Sequence, residues 1–216
     1  MPSQEVTPPN PPTTNRQPDS SAPHRETGDA LRIGIVVGST RPGRKAEAVS
    51  GWVHEAASRR GDAQFKVLDL ADFGLPLLDE PAPPISGQIT HEHTRVWSSA
   101  VGACDGFVFI TPEYNHSTSG ALKNAIDFLY AEWNDKACGF VSYGVDGGIR
   151  AVEHLRVIAA ELKLADVRTQ VGLSLSAIGA DGVRADARAA QQLSSMLDET
   201  VAWSEALRQL RSAAVA

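Results

Sequence analysis

From residue 31 onward, short apolar runs alternate with longer stretches whose apolar positions recur at helical spacing. The run "LRIGIVV" (31–37) is apolar nearly throughout, the pattern of a strand covered on both faces. In "KAEAVSGWVHEAASRR" (45–60), Ala48, Val49, Trp52, Val53, Ala56 and Ala57 form one helical stripe, which Gly51 weakens without removing. "QFKVLDL" (64–70) predicts a second strand, and the proline-rich stretch from Phe73 to Pro84 a long loop. "THEHTRVWSSAVGAC" (90–104) reads as a helix feeding a third buried strand, "GFVFIT" (106–111). A dense polar loop follows, then the amphipathic run Leu122, Ala125, Ile126 and Leu129. "ACGFVSY" (137–143) is a fourth strand, and "GGIRAVEHLRVIAAEL" (147–162) a helix with Ile149, Val152, Leu155, Ala159 and Leu162 along one face. "DVRTQVGLSL" (166–175) is a fifth strand, and residues 184–210 a last helix with Leu193, Leu197, Thr200 and Leu207 on a stripe. Such a stripe packs by default on its own sheet.

Strands alternating with helices predict an α/β fold, a parallel sheet covered on both faces by right-handed crossovers. Five such units fit a three-layer sandwich with the flavodoxin-like strand order 2-1-3-4-5 better than a six-stranded dinucleotide fold. In that order the chain reverses direction between strands 1 and 3. The loops after those two strands then line one crevice at the carboxyl edge of the sheet. They are also the most polar loops in the chain.

Composition adds limits. With 216 residues, 42% of them hydrophobic, the chain is long enough for one domain with a substantial core. A net charge of −6 supplies no basic field for nucleic acid or an anionic membrane. Apolar runs such as 33–37 and 107–110 are far too short to span a bilayer. Cys104 and Cys138 lie far apart in apolar surroundings, which predicts buried thiols and a reducing, cytoplasmic setting. Residues 1–29 hold seven of the 13 prolines and no aromatic residue, so they are expected to be a disordered tail before a domain at 30–216. That tail has no apolar core of a secretory signal, and its acids argue against a transit peptide.

Three loops could carry chemistry. In "GSTRPGRKAE" (38–47), hydroxyls and guanidinium groups crowd the start of a helix, where free N–H groups and the helix dipole already favour an anion. A phosphate monoester suits this loop, although an ordinary helix cap on an exposed basic loop has the same composition. In "TPEYNHSTSG" (111–120), Pro112 halts the strand, and Glu113, Tyr114 and Asn115 can meet the edge and face of a planar heterocycle. Ser119 is read as the cap of the following helix. In "SYGVDGG" (142–148), three glycines allow close backbone approach to a ligand or a tight turn.

Several other chemistries lack their residues. Gly38 and Gly43 have Walker A spacing, but Arg44 and Lys45 stand where the phosphate-binding Lys and the metal-binding Ser/Thr belong. Neither GxGxxG nor a GxSxG elbow is present. The "HEH" at 91–93 has no companion set of metal ligands and reads as a solvated helix start, and His116 as surface polarity.

Together, "GSTRPGR", "PEYNHSTSGALKNAIDFL" and "SYGVDGGIRAVEHLR" resemble the NAD(P)H-dependent FMN reductase family of flavodoxin-like quinone, azo-compound and chromate reductases. The likeness covers roughly residues 31–175. It implies that Ser39, Arg41, Arg44, Lys45 and Ala46 bind the FMN phosphate, although relatives often carry Ser-x-Asn where this chain has Arg44-Lys45-Ala46. It further implies that Pro112, Glu113, Tyr114 and Asn115 border the isoalloxazine, and that Ser142, Tyr143 and Gly144 close the ring site. The implied activity is hydride transfer from NADPH or NADH through FMN to a quinone or similar acceptor, with no catalytic side chain and no metal. A reductase releasing reduced FMN to a partner monooxygenase, or a flavodoxin-like electron carrier, are the alternatives. The resemblance also implies a homodimer or homotetramer.

Overall fold

The computed structural model describes residues 30–213, so the expectations for the tail at 1–29 lie outside the described residues. A five-stranded parallel sheet is built from β1 (Leu31–Val37), β2 (Ala63–Asp69), β3 (Gly106–Pro112), β4 (Lys136–Gly144) and β5 (Leu164–Ser174). Its order is β2-β1-β3-β4-β5, as the alternating pattern predicts, with every neighbouring pair parallel. β3 and β4 are buried along their whole length, which accounts for their unbroken apolar runs.

The helices are α1 (Ala46–Ser58), α2 (Leu70–Phe73), α3 (Glu92–Gly102), α4 (Gly120–Asp127), α5 (Ile149–Glu161) and α6 (Ala187–Ala213). Successive strand residues point to opposite faces and so divide the core in two. On one face Ile33, Ile35, Val108 and Ile110 pack with Val49 and Val53 of α1 and with Leu193, Met196 and Leu197 of α6. On the other, Val36, Phe107, Phe109 and Phe140 pack with Trp97 of α3, Ile126 of α4, Leu155 of α5 and the loop residue Trp133. Both indoles are fully buried and still donate, Trp97 Nε1 to the Ala125 carbonyl at 2.8 Å and Trp133 Nε1 to that of Ile126 at 3.2 Å. The stripe on the last helix does pack on the sheet, with Leu193, Leu197 and Thr200 buried.

Three local expectations shift. The second strand ends at Asp69, and a one-turn helix, α2, takes Leu70 and leads into the long loop; Asp69 caps it by accepting from the Ala71 N–H and Gly74 ends it at φ 56°. The last helix begins at Ala187, because Ile178–Gly179 and Gly182–Val183 first pair as a small antiparallel hairpin, β6–β7, packed against α1. At residues 91–93, His93 Nε2 donates to the Asp79 carboxylate at 3.0 Å and its ring stacks on His91, tying the long loop to α3.

At the amino edge of the sheet, Lys136 is buried, and its ammonium donates to the Val101 and Gly102 carbonyls at the end of α3. Burial lowers its pKa from the ordinary 10.5 to about 8. The folded state therefore holds this proton less tightly than the unfolded chain, and the group's contribution to stability rises with pH between those two values. Urea melts across that window should favour the wild type increasingly over Lys136→Met, by on the order of 3 kcal/mol in full. A pH-independent difference between the two proteins would contradict this assignment.

Candidate functional site

The loops after β1, β3 and β4 meet at the carboxyl edge of the sheet. β1 and β3 are neighbours here, so the chain reverses between them as the strand order requires. The first two loops are joined at Gly38, whose N–H donates to the Ile110 carbonyl at 2.8 Å and whose carbonyl accepts from Ser119 Oγ. A Cβ on Gly38 would lie 2.7 Å from the Ile110 oxygen and 2.9 Å from Leu122 Cδ2, so no side chain fits. Ser119 also caps α4 through the Leu122 N–H, as expected, at 3.1 Å.

In the first loop, Ser39 is buried, and its hydroxyl lies 3.3 Å from the Tyr114 hydroxyl of the second loop. Arg41 is exposed, forms no ion pair among the described residues and lies over the Tyr114 ring, its Cζ 5.9 Å from the centroid. Arg44 behaves differently. Its guanidinium donates twice to Asp69 at the end of β2, both at 2.7 Å, and once to the Ser39 carbonyl at 2.5 Å. The Asp69 hydrogen bonds raise its pKa further. Arg44 thus braces the loop against β2. Lys45 donates to the Ile178 carbonyl at 2.6 Å and so holds the β6–β7 hairpin. Ala46, fully buried, opens α1, and no side chain caps that helix.

In the second loop, Tyr114 and Ser117 exchange backbone hydrogen bonds of 2.9 and 3.0 Å around Asn115 and His116. Both central residues have positive φ, 50° and 67°, as a type I′ turn requires. This tight turn presents Tyr114 to the first loop and leaves Asn115 exposed. Glu113 accepts from the Arg150 backbone N–H at 3.2 Å and from the Arg150 guanidinium at 2.5 Å. It therefore caps α5, whose own cap position is Gly148 with no side chain. In the third loop, Ser142 turns inward and donates to the Gly147 carbonyl at 2.7 Å. Gly148, at φ 75°, lies so close that a Cβ would stand 2.8 Å from Ser142 Cβ.

A slot of about 200 Å³ lies between these loops. Arg41, Arg44 and Lys45 line it from the first loop, Pro112, Glu113 and Tyr114 from the second, and Tyr143 and Gly144 from the third. Of the expected residues, Ser39, Ala46, Asn115 and Ser142 do not line it; Ser39, Ala46 and Ser142 are buried and Asn115 is exposed. Val145, inside the third loop but not singled out there, and Leu175, outside every motif, complete its apolar wall. Burial pushes the Tyr143 phenol up to about 12, so it stays neutral at physiological pH. Among the described residues, no group of three or more His, Cys, Asp or Glu is placed to hold a metal.

Comparison with known proteins decides the family: the profile described as NADPH-dependent FMN reductase matches residues 31–177. The chain belongs to this family. It is similar to an NAD(P)H-dependent FMN reductase of Schizosaccharomyces pombe, 40% identical over 146 residues, covering 67% of this chain and 73% of that protein. A quinone reductase of Escherichia coli is 31% identical over 137 residues, covering 60% and 70% respectively. Among solved structures, the flavoenzyme NAD(P)H:(acceptor) oxidoreductase FerB of Paracoccus denitrificans shares the fold, with a TM-score of 0.65 at 24% identity over 82% of this chain and 98% of that one.

This FMN reductase family member is a flavin oxidoreductase that uses FMN and NAD(P)H. Its residues fit the cofactor. A helix start without a side-chain cap, beside a guanidinium that forms no ion pair among the described residues, suits the phosphate, and the slot beside Tyr114 suits the ring. Asp69→Asn breaks the charge pairing with Arg44 that orders the loop after β1, and if this loop holds the cofactor phosphate FMN affinity should fall about tenfold. Riboflavin, which lacks the phosphate, should bind the variant and the wild type alike in a fluorescence titration. Equal losses for both ligands would show that Asp69 supports only the general fold.

Proposed function

We propose that the protein reduces a quinone or similar small acceptor at the expense of NAD(P)H, with FMN held in the slot between the loops after β1, β3 and β4. The observation that carries the assignment is the free Arg41 guanidinium beside the uncapped start of α1, at one end of an apolar slot. Bound FMN supplies the redox chemistry, taking a hydride from the nicotinamide and passing electrons to the acceptor.

The chain's own residues bind and orient. Arg41 and the α1 N–H groups neutralise the phosphate, and the Ser39 hydroxyl adds a donor at the loop's base. Arg44 and Lys45 serve the same end indirectly, by fixing the loop against β2 and the β6–β7 hairpin. Pro112, Tyr114, Tyr143 and Gly144 supply walls for a planar ring. Glu113 keeps the second and third loops in register through Arg150. Asn115 and His116 form no backbone hydrogen bond through their N–H groups among the described residues, which leaves donors in the turn next to Tyr114. No side chain here is assigned a proton transfer.

The similarity to quinone reductases supports the acceptor class. We further propose a cytoplasmic homodimer or homotetramer. Two buried free cysteines support the reducing compartment, and Trp203 and Leu210, exposed on the outer side of α6, support an interface. No described helix is long and apolar enough to cross a membrane.

Arg41→Ala should weaken FMN binding by about tenfold or more, the loss expected for a charged hydrogen-bond partner, with riboflavin binding and thermal stability unchanged. Unchanged FMN affinity would sink the phosphate assignment. Gel filtration after reduction separates the two reductase readings: flavin that stays with the protein supports a prosthetic group, whereas flavin that elutes free supports supply to a monooxygenase.

A further inference from the structure

Val145 lines both the slot and a second, larger hollow of about 610 Å³. The hollow's floor is the end of β5 at Gly172 and Leu173, and its rim includes Arg184, Asp186 and Arg188 around the start of α6. The charges on this rim are unequally engaged. Asp186 is occupied in capping α6, accepting from the Ala189 N–H at 2.7 Å. Asp146, which also lines the hollow, is paired with Arg150 at 2.8 Å. Arg184 and Arg188 are exposed and form no ion pair among the described residues. Arg184 is nonetheless fixed at the backbone, where its N–H donates to the Ala177 carbonyl at 2.8 Å.

A dinucleotide reductant must bring its nicotinamide to the flavin slot and lay its remaining length on adjoining surface. The slot is too small for both a flavin ring and a dinucleotide, whereas the hollow is of ordinary ligand size. The geometry points to this hollow as the seat of the adenosine arm of NADPH, with Arg184 and Arg188 receiving the 2′-phosphate. Guanidinium forks match a phosphate monoester, and NADH offers them only a ribose hydroxyl. The pair therefore selects NADPH by a charge that NADH lacks. The inference rests on the slot being the flavin site.

The test uses the FMN-loaded protein and two readouts. In calorimetric titrations, adenosine 2′,5′-bisphosphate should bind the wild type, and the double variant Arg184→Ala/Arg188→Ala should weaken it about tenfold or more. Adenosine 5′-monophosphate, which has no 2′-phosphate, should lose less than about threefold. In steady state with a quinone acceptor, the ratio of kcat/KM for NADPH over that for NADH should fall about tenfold in the double variant. Bisphosphate binding unaffected by the substitutions, or an equal loss for both dinucleotides, would overturn the proposal. Absence of activity with either dinucleotide in the wild type would instead count against the oxidoreductase reading, and the bisphosphate titration would still decide the hollow.

Discussion

The site depends on one close approach, where β1 leaves the sheet beside β3. At Gly38 the backbone of the first loop touches the Ile110 carbonyl and the Leu122 side chain, with no room for a Cβ. Ser119, the cap of α4, closes the contact by donating to the Gly38 carbonyl. One residue without a side chain thus sets the spacing of two loops that belong to different crossovers. Parallel sheets of this order leave a crevice where the chain reverses, and the Gly38 contact fixes its width. Everything that lines the slot follows β1, β3, β4 or β5 at the carboxyl edge of the sheet.

Charge at the site is divided between bracing and binding. Arg44 and Glu113 resemble ligand-binding residues by type and position, yet both are paired within the protein, with Asp69 and Arg150. A half-buried charge held by good geometry is useful as a strut, because removing its partner leaves it uncompensated. Arg41 is the opposite case, an exposed cation resting on Tyr114 with no acid to neutralise it among the described residues. The start of α1, also without a side-chain cap, carries the same sign of potential. An anion is the missing partner for both. The type I′ turn at Asn115 and His116, with two non-glycine residues at positive φ, concentrates backbone strain at the rim of the same slot.

Much of this was legible in the sequence. The strand order followed from unbroken apolar runs alternating with helical stripes, and the meeting of the loops followed from that order. The polar loops were visible as candidates because a connector needs few donors. What stayed hidden was which charges were already taken. Asp69 lies 25 residues beyond Arg44, and nothing local marks them as a pair. Arg150 lies 37 residues beyond Glu113, inside what reads as an ordinary helix start. Leu175 lies outside every motif and joins the slot only because β4 and β5 end side by side. The β6–β7 hairpin has strands of two residues each, too short for any periodicity to register.

In the proposed reading, these loops hold FMN where a nicotinamide dinucleotide can reduce it. Anaerobic stopped-flow mixing of the FMN-loaded protein with NADPH, followed by flavin absorbance, tests it most directly. Rapid bleaching of the oxidised flavin bands is expected, with their return when a quinone is added. Flavin that bleaches with dithionite but not with NADPH or NADH would contradict it and leave an electron carrier in its place.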